Sequence, residues 1–236
     1  MRNKTFPLLF CATLVLALTA TTPRRAQAQT FDATTDFSAT SGNPNGNWTY
    51  GFSTTLGGAV TLFDTADSSP TLPRWTHSTV QNSGVPTILR NDLGVPFNGV
   101  PTGFLLVHPG LSEYVVLRFT VPSTANYSIL AQGLAGDTGD TDLSVLRNSN
   151  VLSALFFAPT TDTNPSFSTT VALAAGDTID LVVGNKGSYL GDSTGAVFTL
   201  TTVGGASAPE PGTLGLLGLG LVMGLSLSRR QKVALR

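Results

Sequence analysis

The stretch FSTTVALAAGDTIDLVV, residues 167–183, decides the fold class of this chain. Its larger apolar side chains recur at every second position on either side of a central turn: Val171, Leu173, Ile179, Leu181 and Val183. A period of two is typical of β-strands that bury one face and expose the other to water. The stretch therefore predicts two strands separated by a turn at Ala175-Gly176.

Similar short apolar bursts occur along the whole middle of the chain, separated by Thr, Ser, Gly, Asn and Pro. We predict strands at 113–121, 126–134, 142–147, 151–157, 167–173, 177–183 and 196–202, and shorter ones at 48–52, 59–63, 74–77, 87–90 and 103–107. Helical periodicity is absent outside the two ends of the chain. The pattern predicts an all-β fold, an antiparallel β-sandwich of jelly-roll form.

The N-terminus has the pattern of an export signal. Arg2 and Lys4 precede an apolar run at 6–18, and Ala26-Gln27-Ala28 fits the small-residue site cut by signal peptidase. We predict a signal peptide at 1–28, with cleavage nearer Ala20 as the alternative because Arg24 and Arg25 lie close to the first site. Cys11, the single cysteine of the chain, lies in this segment, so the mature protein has no disulfide or cysteine-bound zinc.

The C-terminus combines three features in close order. Pro209-Glu210-Pro211, at the end of a linker spanning 205–211, precedes an apolar stretch at 212–228 and a basic end at 229–236 that begins with Arg229 and Arg230. The apolar stretch has 17 residues. As a helix it spans roughly 25 Å, short of the roughly 30 Å hydrocarbon layer of a bilayer. We predict a weak transmembrane helix with the basic end in the cytoplasm.

This set of features resembles the PEP-CTERM sorting signal of Gram-negative bacteria. The resemblance implies recognition by an exosortase-type transpeptidase at or near Pro209-Glu210-Pro211. It also implies a protein that is held briefly in the membrane through 212–228 and then attached to the cell surface or released into the extracellular matrix.

The exported segment, predicted as one domain at 29–204, is acidic. Outside the two ends the chain has five basic and 13 acidic residues, which leaves a net charge of about −8. Such a charge excludes nucleic acid and anionic lipid as favoured partners. Neutral ligands, cations or no ligand are the remaining expectations.

Four runs in this segment are similar to an exported domain that often precedes PEP-CTERM tails: NPNGNWTYG at 43–51, LVHPG at 106–110, YVVLRF at 114–119 and LAAGD at 173–177. That domain is in turn similar to the sandwiches of carbohydrate-binding modules. These runs are structural, so the resemblance implies the sandwich fold far more than a ligand, and extracellular polysaccharide is the ligand that we consider.

Two groups of residues are candidates for binding. Asp137, Asp140 and Asp142 lie in a Gly/Asp/Thr loop that offers oxygen ligands to calcium, the one cofactor that we consider, although the EF-hand spacing is absent. Asp32, Asp36 and Asp192 join them if the ends of the sandwich meet. The alternative is an ordinary solvated turn.

Four aromatic residues could stack on a sugar ring: Trp48, Tyr50, Trp75 and Tyr189. The alternative for each ring is burial in the core. An exposed pair of tryptophans beside a groove would favour a binding module, whereas buried tryptophans favour a structural or adhesive matrix protein.

Catalysis has little support in the sequence. His77 and His108 lie near no nucleophile motif, and Glu113 is the single glutamate of the exported segment, where glycoside hydrolysis needs two opposed carboxyl groups. The threonines form no long ladder of the kind that ice-binding faces use. We therefore expect a non-enzymatic protein, with a glycoside-acting enzyme and an ice-binding protein as the weaker alternatives.

Overall fold

A computed structural model describes residues 27–79, 84–157 and 164–204 of the chain. The stretch at 167–183 forms two strands, and Gly176 with a φ of 88° makes the turn between them. The backbone amide of Asp177 donates to the carbonyl of Ala174 across this turn at 3.0 Å. The two strands belong to different sheets, so this turn carries the chain across the sandwich.

The described residues contain fourteen strands. In chain order they are β1 Thr30–Asp32, β2 Trp48–Ser53, β3 Thr61–Leu62, β4 Thr65–Asp67, β5 Arg74–Thr76, β6 Thr87–Arg90, β7 Leu105–His108, β8 Tyr114–Thr120, β9 Ala125–Leu134, β10 Thr141–Arg147, β11 Asn150–Phe157, β12 Ser166–Leu173, β13 Thr178–Gly184 and β14 Thr194–Val203. The all-β prediction is confirmed, and twelve of these strands overlap predicted ones. β1 and β4 were not predicted, because each is only 3 residues long and has no apolar alternation.

The strands form two sheets in which every ladder is antiparallel. The larger sheet has the order β12-β9-β14-β7-β6-β5-β4, with β1 also paired to β14, and the smaller sheet has the order β11-β10-β13-β8-β2-β3. The last eight strands thus lie as β7-β14-β9-β12 opposite β8-β13-β10-β11. The prediction of an antiparallel sandwich is confirmed.

The core lies between the two sheets and is rich in aromatic rings. The ring of Phe119 lies 4.8 Å from that of Phe31 and 5.0 Å from that of Trp48, which is itself 5.6 Å from Phe198. The alternating residues of the opening stretch, Ile179, Leu181 and Val183 among them, pack into the same core. The described residues belong to one compact unit.

The outer face of β13 differs from the prediction that it is solvated. Asp180 and Val182 are buried there, because Val182 packs with Val116 and Leu146 and Arg118 pairs with Asp180. Val60, from the segment after β2, adds to this second cluster. The period of two correctly marks the core face of this strand, but its opposite face is covered by residues that are distant in sequence.

The predicted export signal at 1–28 lies, except for its last two residues, outside the described residues, and the predicted span at 212–228 lies entirely outside them. Within residues 27–79, 84–157 and 164–204, no helix is long and apolar enough to cross a bilayer.

Candidate functional site

Two loops meet at one end of the sandwich. The loop at 135–140 joins β9 to β10, and the loop at 185–193 joins β13 to β14. The backbone amide of Asp137 donates to the carbonyl of Ser193 at 2.9 Å, and the amide of Gly139 donates to the carbonyl of Gly191 at 2.7 Å. We call this pair of loops the acidic end.

Glycine allows the two loops to come this close. A Cβ atom on Gly136 would overlap the carbonyl oxygen of Ser193, and one on Gly139 would overlap the carboxylate of Asp192. The G-x-x-G spacing of this loop is therefore explained by backbone contact with the other loop.

Asp192 is the unusual residue of the acidic end. Its exposed fraction is 0%, and neither carboxylate oxygen has a hydrogen-bond partner. Burial, which has the largest effect, and the negative charges of Asp140, Asp137 and Asp142 together raise the pKa of Asp192 to about 7. A buried carboxylate without a partner costs several kcal/mol by the order of magnitude known for buried charges, so such a group is seldom left unexplained.

The three aspartates predicted to bind calcium lie close enough to Asp192 for their charges to raise its pKa. Asp137 is half-buried and Asp140 is exposed in the loop at 135–140, while Asp142 is half-buried on β10, one residue before the core-facing Leu143. Among the described residues, no three acidic, histidine or cysteine side chains are close enough together to hold a metal by themselves. Calcium takes 6–8 oxygens and commonly completes its shell with backbone carbonyls and water, so side chains alone do not decide this case.

Asp32 and Asp36 do not join this group. The carboxylate of Asp32 accepts from the backbone amides of Thr34 and Thr35, and that of Asp36 accepts from the indole N–H of Trp48. Both serve local structure near β1 and β2.

The aromatic candidates do not form a platform. Trp48, Tyr50 and Trp75 are 2%, 0% and 5% exposed, so their ring faces are closed to a sugar. The indole N–H of Trp75 donates to the carbonyl of Ser38 at 2.8 Å, and burial raises the pKa of the Tyr50 phenol. Tyr189 is half-buried in the loop at 185–193, and a stacking role stays a prediction for this residue alone.

A groove on the outer face of the larger sheet was not predicted. It has a volume of about 330 Å³ and lies over β4 to β7. Leu72, Leu89, Phe97 and Leu106 give it an apolar floor, and Asp67, Arg74, Asn98 and His108 are among its polar lining residues. We call it the sheet groove. The residues that line it come from several strands and loops, so no local sequence pattern marks it.

The sheet groove adjoins the acidic end. Ser193, which is next to Asp192 in sequence, lines the groove, and the Asn98 side-chain amide donates to the Ser193 hydroxyl at 3.1 Å.

His108 is a polar residue of the groove wall. Burial lowers the pKa of His108, and its Nδ1 donates to the Pro109 carbonyl at 2.8 Å. His108 is therefore a neutral polar group on the wall of the groove at neutral pH.

Comparison with known proteins identifies one sequence motif. Residues 207–230 match the PEP-CTERM protein-sorting motif, which confirms the prediction for the tail. This segment contains the predicted sorting residues Pro209, Glu210, Pro211, Arg229 and Arg230, all of which lie outside the described residues. No curated protein matches the chain.

Several solved structures are similar to parts of the fold. A family 35 carbohydrate-binding module from Clostridium thermocellum is 17% identical over 39% of this chain and 71% of its own, with a TM-score of 0.26. The GH26-CBM35 β-(1,4)-mannanase of Podospora anserina is 19% identical over 78% of this chain and 29% of its own, at 0.32. GITRL from bushbaby is 16% identical over 39% of this chain and 74% of its own, at 0.29. Because these identities and TM-scores are low, the similarity does not indicate what this chain binds.

Proposed function

We propose that this chain is an exported, non-enzymatic protein of the cell surface or extracellular matrix, delivered by its tail to an exosortase-type processing enzyme. The PEP-CTERM motif at 207–230 is the observation that carries the proposal. The signal-like sequence at 1–28 and the apolar stretch at 212–228 support it. The exported body is a jelly roll, supported by the order β7-β14-β9-β12 opposite β8-β13-β10-β11.

The residues of the tail have separate parts in this proposal. Pro209 and Pro211 keep the segment extended, because proline disfavours helix both at its own position and at the one before it. Glu210 carries a charge that resists entry into the bilayer and is available to a basic group of the enzyme. Arg229 and Arg230 hold the end of the span on the cytoplasmic side.

Glu210→Ala is the test of this proposal. We expect the variant, expressed in a host that has the processing enzyme, to keep its tail and to remain in the membrane fraction. The wild type should lose the tail, and mass spectrometry of the C-terminus together with cell fractionation measures both outcomes. Glu113→Ala, which removes the same charge from the exported body outside the motif at 207–230, is the matched control and should be processed normally. Normal processing and localisation of Glu210→Ala would contradict the proposed role.

Binding of a neutral extracellular polysaccharide is the finer proposal for the body. The sheet groove supports it, since ligand sites are commonly clefts of about 300–1,000 Å³ with apolar walls and a few polar groups. The net charge of about −8 on the exported segment favours a neutral glycan over an acidic one.

Arg74→Ala tests the groove. Arg74 lines it and pairs with Asp67 at 3.3 Å, and about half of each side chain is exposed. Loss of a hydrogen bond from a charged donor to a sugar hydroxyl should weaken binding about tenfold. Affinity electrophoresis in gels that contain neutral polysaccharides measures the effect. Arg147→Ala, which removes the same charge outside the groove, is the control.

Absence of retardation by every neutral polysaccharide would favour the structural or adhesive alternative. Burial of Trp48 and Trp75 already points in that direction, because it removes the exposed pair of rings expected of a binding module. Self-association of the purified chain, measured by sedimentation, would then be the expected property.

A further inference from the structure

The acidic end contains a buried carboxyl group without a hydrogen-bond partner, which the sorting function does not use. Asp192 is fully buried, both of its oxygens lack a partner, and three other carboxylates lie near it. Folding places four acidic groups near one another, and within the described residues the carboxylate of Asp192 has no hydrogen-bond partner. Such an arrangement is costly unless the group is protonated or a cation compensates it.

We propose that a calcium ion binds at the acidic end, with Asp192 as its buried anchor and with Asp137 and Asp140 of the facing loop contributing through their charge and through bound water. Asp142 adds negative charge from the start of β10. Backbone carbonyls of the two loops and water complete the shell of oxygens that calcium requires.

The chemistry of the donors selects calcium over other metals. The side chains gathered here offer carboxylate and hydroxyl oxygen, which hard cations prefer, and the single cysteine of the chain lies in the signal. Magnesium needs a nearly ideal octahedral shell, whereas calcium tolerates the irregular positions that two glycine-rich loops supply. The anionic surroundings also favour a divalent cation.

The position of the ion gives it a structural role. The loop at 135–140 connects β9 of the larger sheet to β10 of the smaller one, and the loop at 185–193 connects β13 of the smaller sheet to β14 of the larger one. An ion held by both loops therefore joins two sheet-crossing connections at one end of the sandwich. In a body that has no disulfide, this is the place where an external ligand adds stability after export.

Thermal unfolding of the full-length protein in detergent tests the proposal. Calcium sites of extracellular modules have Kd values of about 10⁻⁴–10⁻³ M. After treatment with a chelator, addition of about 10 mM calcium should raise Tm by roughly 4–10 °C for a domain of this size. Isothermal titration should find one calcium per chain, and the same concentration of magnesium should give a smaller shift.

The Asp192→Asn variant tests whether the calcium-induced rise in Tm comes from this site or from a general effect of salt. The amide keeps the shape of the carboxylate but removes its charge, so the variant should lose the calcium shift and be at least as stable as the wild type in chelator. Asp92→Asn, which removes a carboxylate paired with Arg90 elsewhere, should keep the full shift. Asp140→Asn changes an exposed residue and should fold in any case, with calcium affinity about tenfold weaker.

Two results would overturn the proposal. The first is a wild-type Tm that does not respond to calcium, which would mean that Asp192 is buried as a neutral acid. The second is an equal calcium shift in the wild type and in both Asp192→Asn and Asp140→Asn, which would place the ion elsewhere. Neither result bears on processing of the tail, so the two proposals succeed or fail separately.

Discussion

Trp48→Ala is expected to lower the free energy of unfolding by about 3–5 kcal/mol, the usual cost of truncating a buried aromatic residue. The Trp48 ring is 2% exposed and packs on Phe119 and Phe198, and its indole N–H donates to Asp36 at 2.9 Å. Truncation leaves a cavity between the sheets and removes one of the hydrogen bonds that the Asp36 carboxylate accepts. Since domains are stable by only about 5–15 kcal/mol, much of the protein should unfold on mild heating. Urea denaturation followed by circular dichroism measures the change.

Leu190→Ala is the matched control for this experiment. Leu190 is 71% exposed in the loop at 185–193, so its truncation should change stability by no more than about 0.5 kcal/mol. If Trp48→Ala unfolds like the wild type and only loses glycan binding, the ring is a ligand contact and its burial in the core is wrong.

Arg118→Ala is expected to cost about 2–4 kcal/mol of stability. Its guanidinium donates two hydrogen bonds to Asp180, at 2.7 and 2.9 Å, and the Asp180 side chain is 3% exposed. Removal of the arginine leaves a buried carboxylate without its partner, which is more costly than the net value of the pair. The effect falls somewhat below that of a fully buried pair, because the Arg118 side chain is 23% exposed and water can reach the vacated space.

A double variant identifies the cause of that loss. Arg118→Met combined with Asp180→Leu replaces both charges with apolar groups and should recover most of the stability, since the unpaired charge is gone. Arg74→Ala, from the exposed pair with Asp67, should cost no more than about 1 kcal/mol. A double variant that is no more stable than Arg118→Ala would contradict the unpaired carboxylate as the cause of the loss, because the double variant has no such carboxylate. Chemical denaturation at neutral pH compares all three proteins.

For the candidate sites, the sequence predicted which residues could take part but not how they are placed in the fold. The aspartates around the acidic end could be listed from composition, because calcium ligands are a small set of residue types. The burial of Asp192 near them depends on how two loops pack together, and these loops are 45 or more residues apart in sequence. The sheet groove and the buried tryptophans depend in the same way on which strands become neighbours.

The sequence alone determined the strand-rich fold class, because a period of two is a local property of the chain, as in Ile179, Leu181 and Val183. It also determined the sorting tail, whose three parts are contiguous and match a known motif at 207–230. Only the tertiary structure decided that the turn at Ala174–Asp177 crosses between sheets, that Trp48 faces the core and that Asp192 loses contact with water. These features follow from pairings such as Gly195 with Leu134, between residues that no local pattern connects.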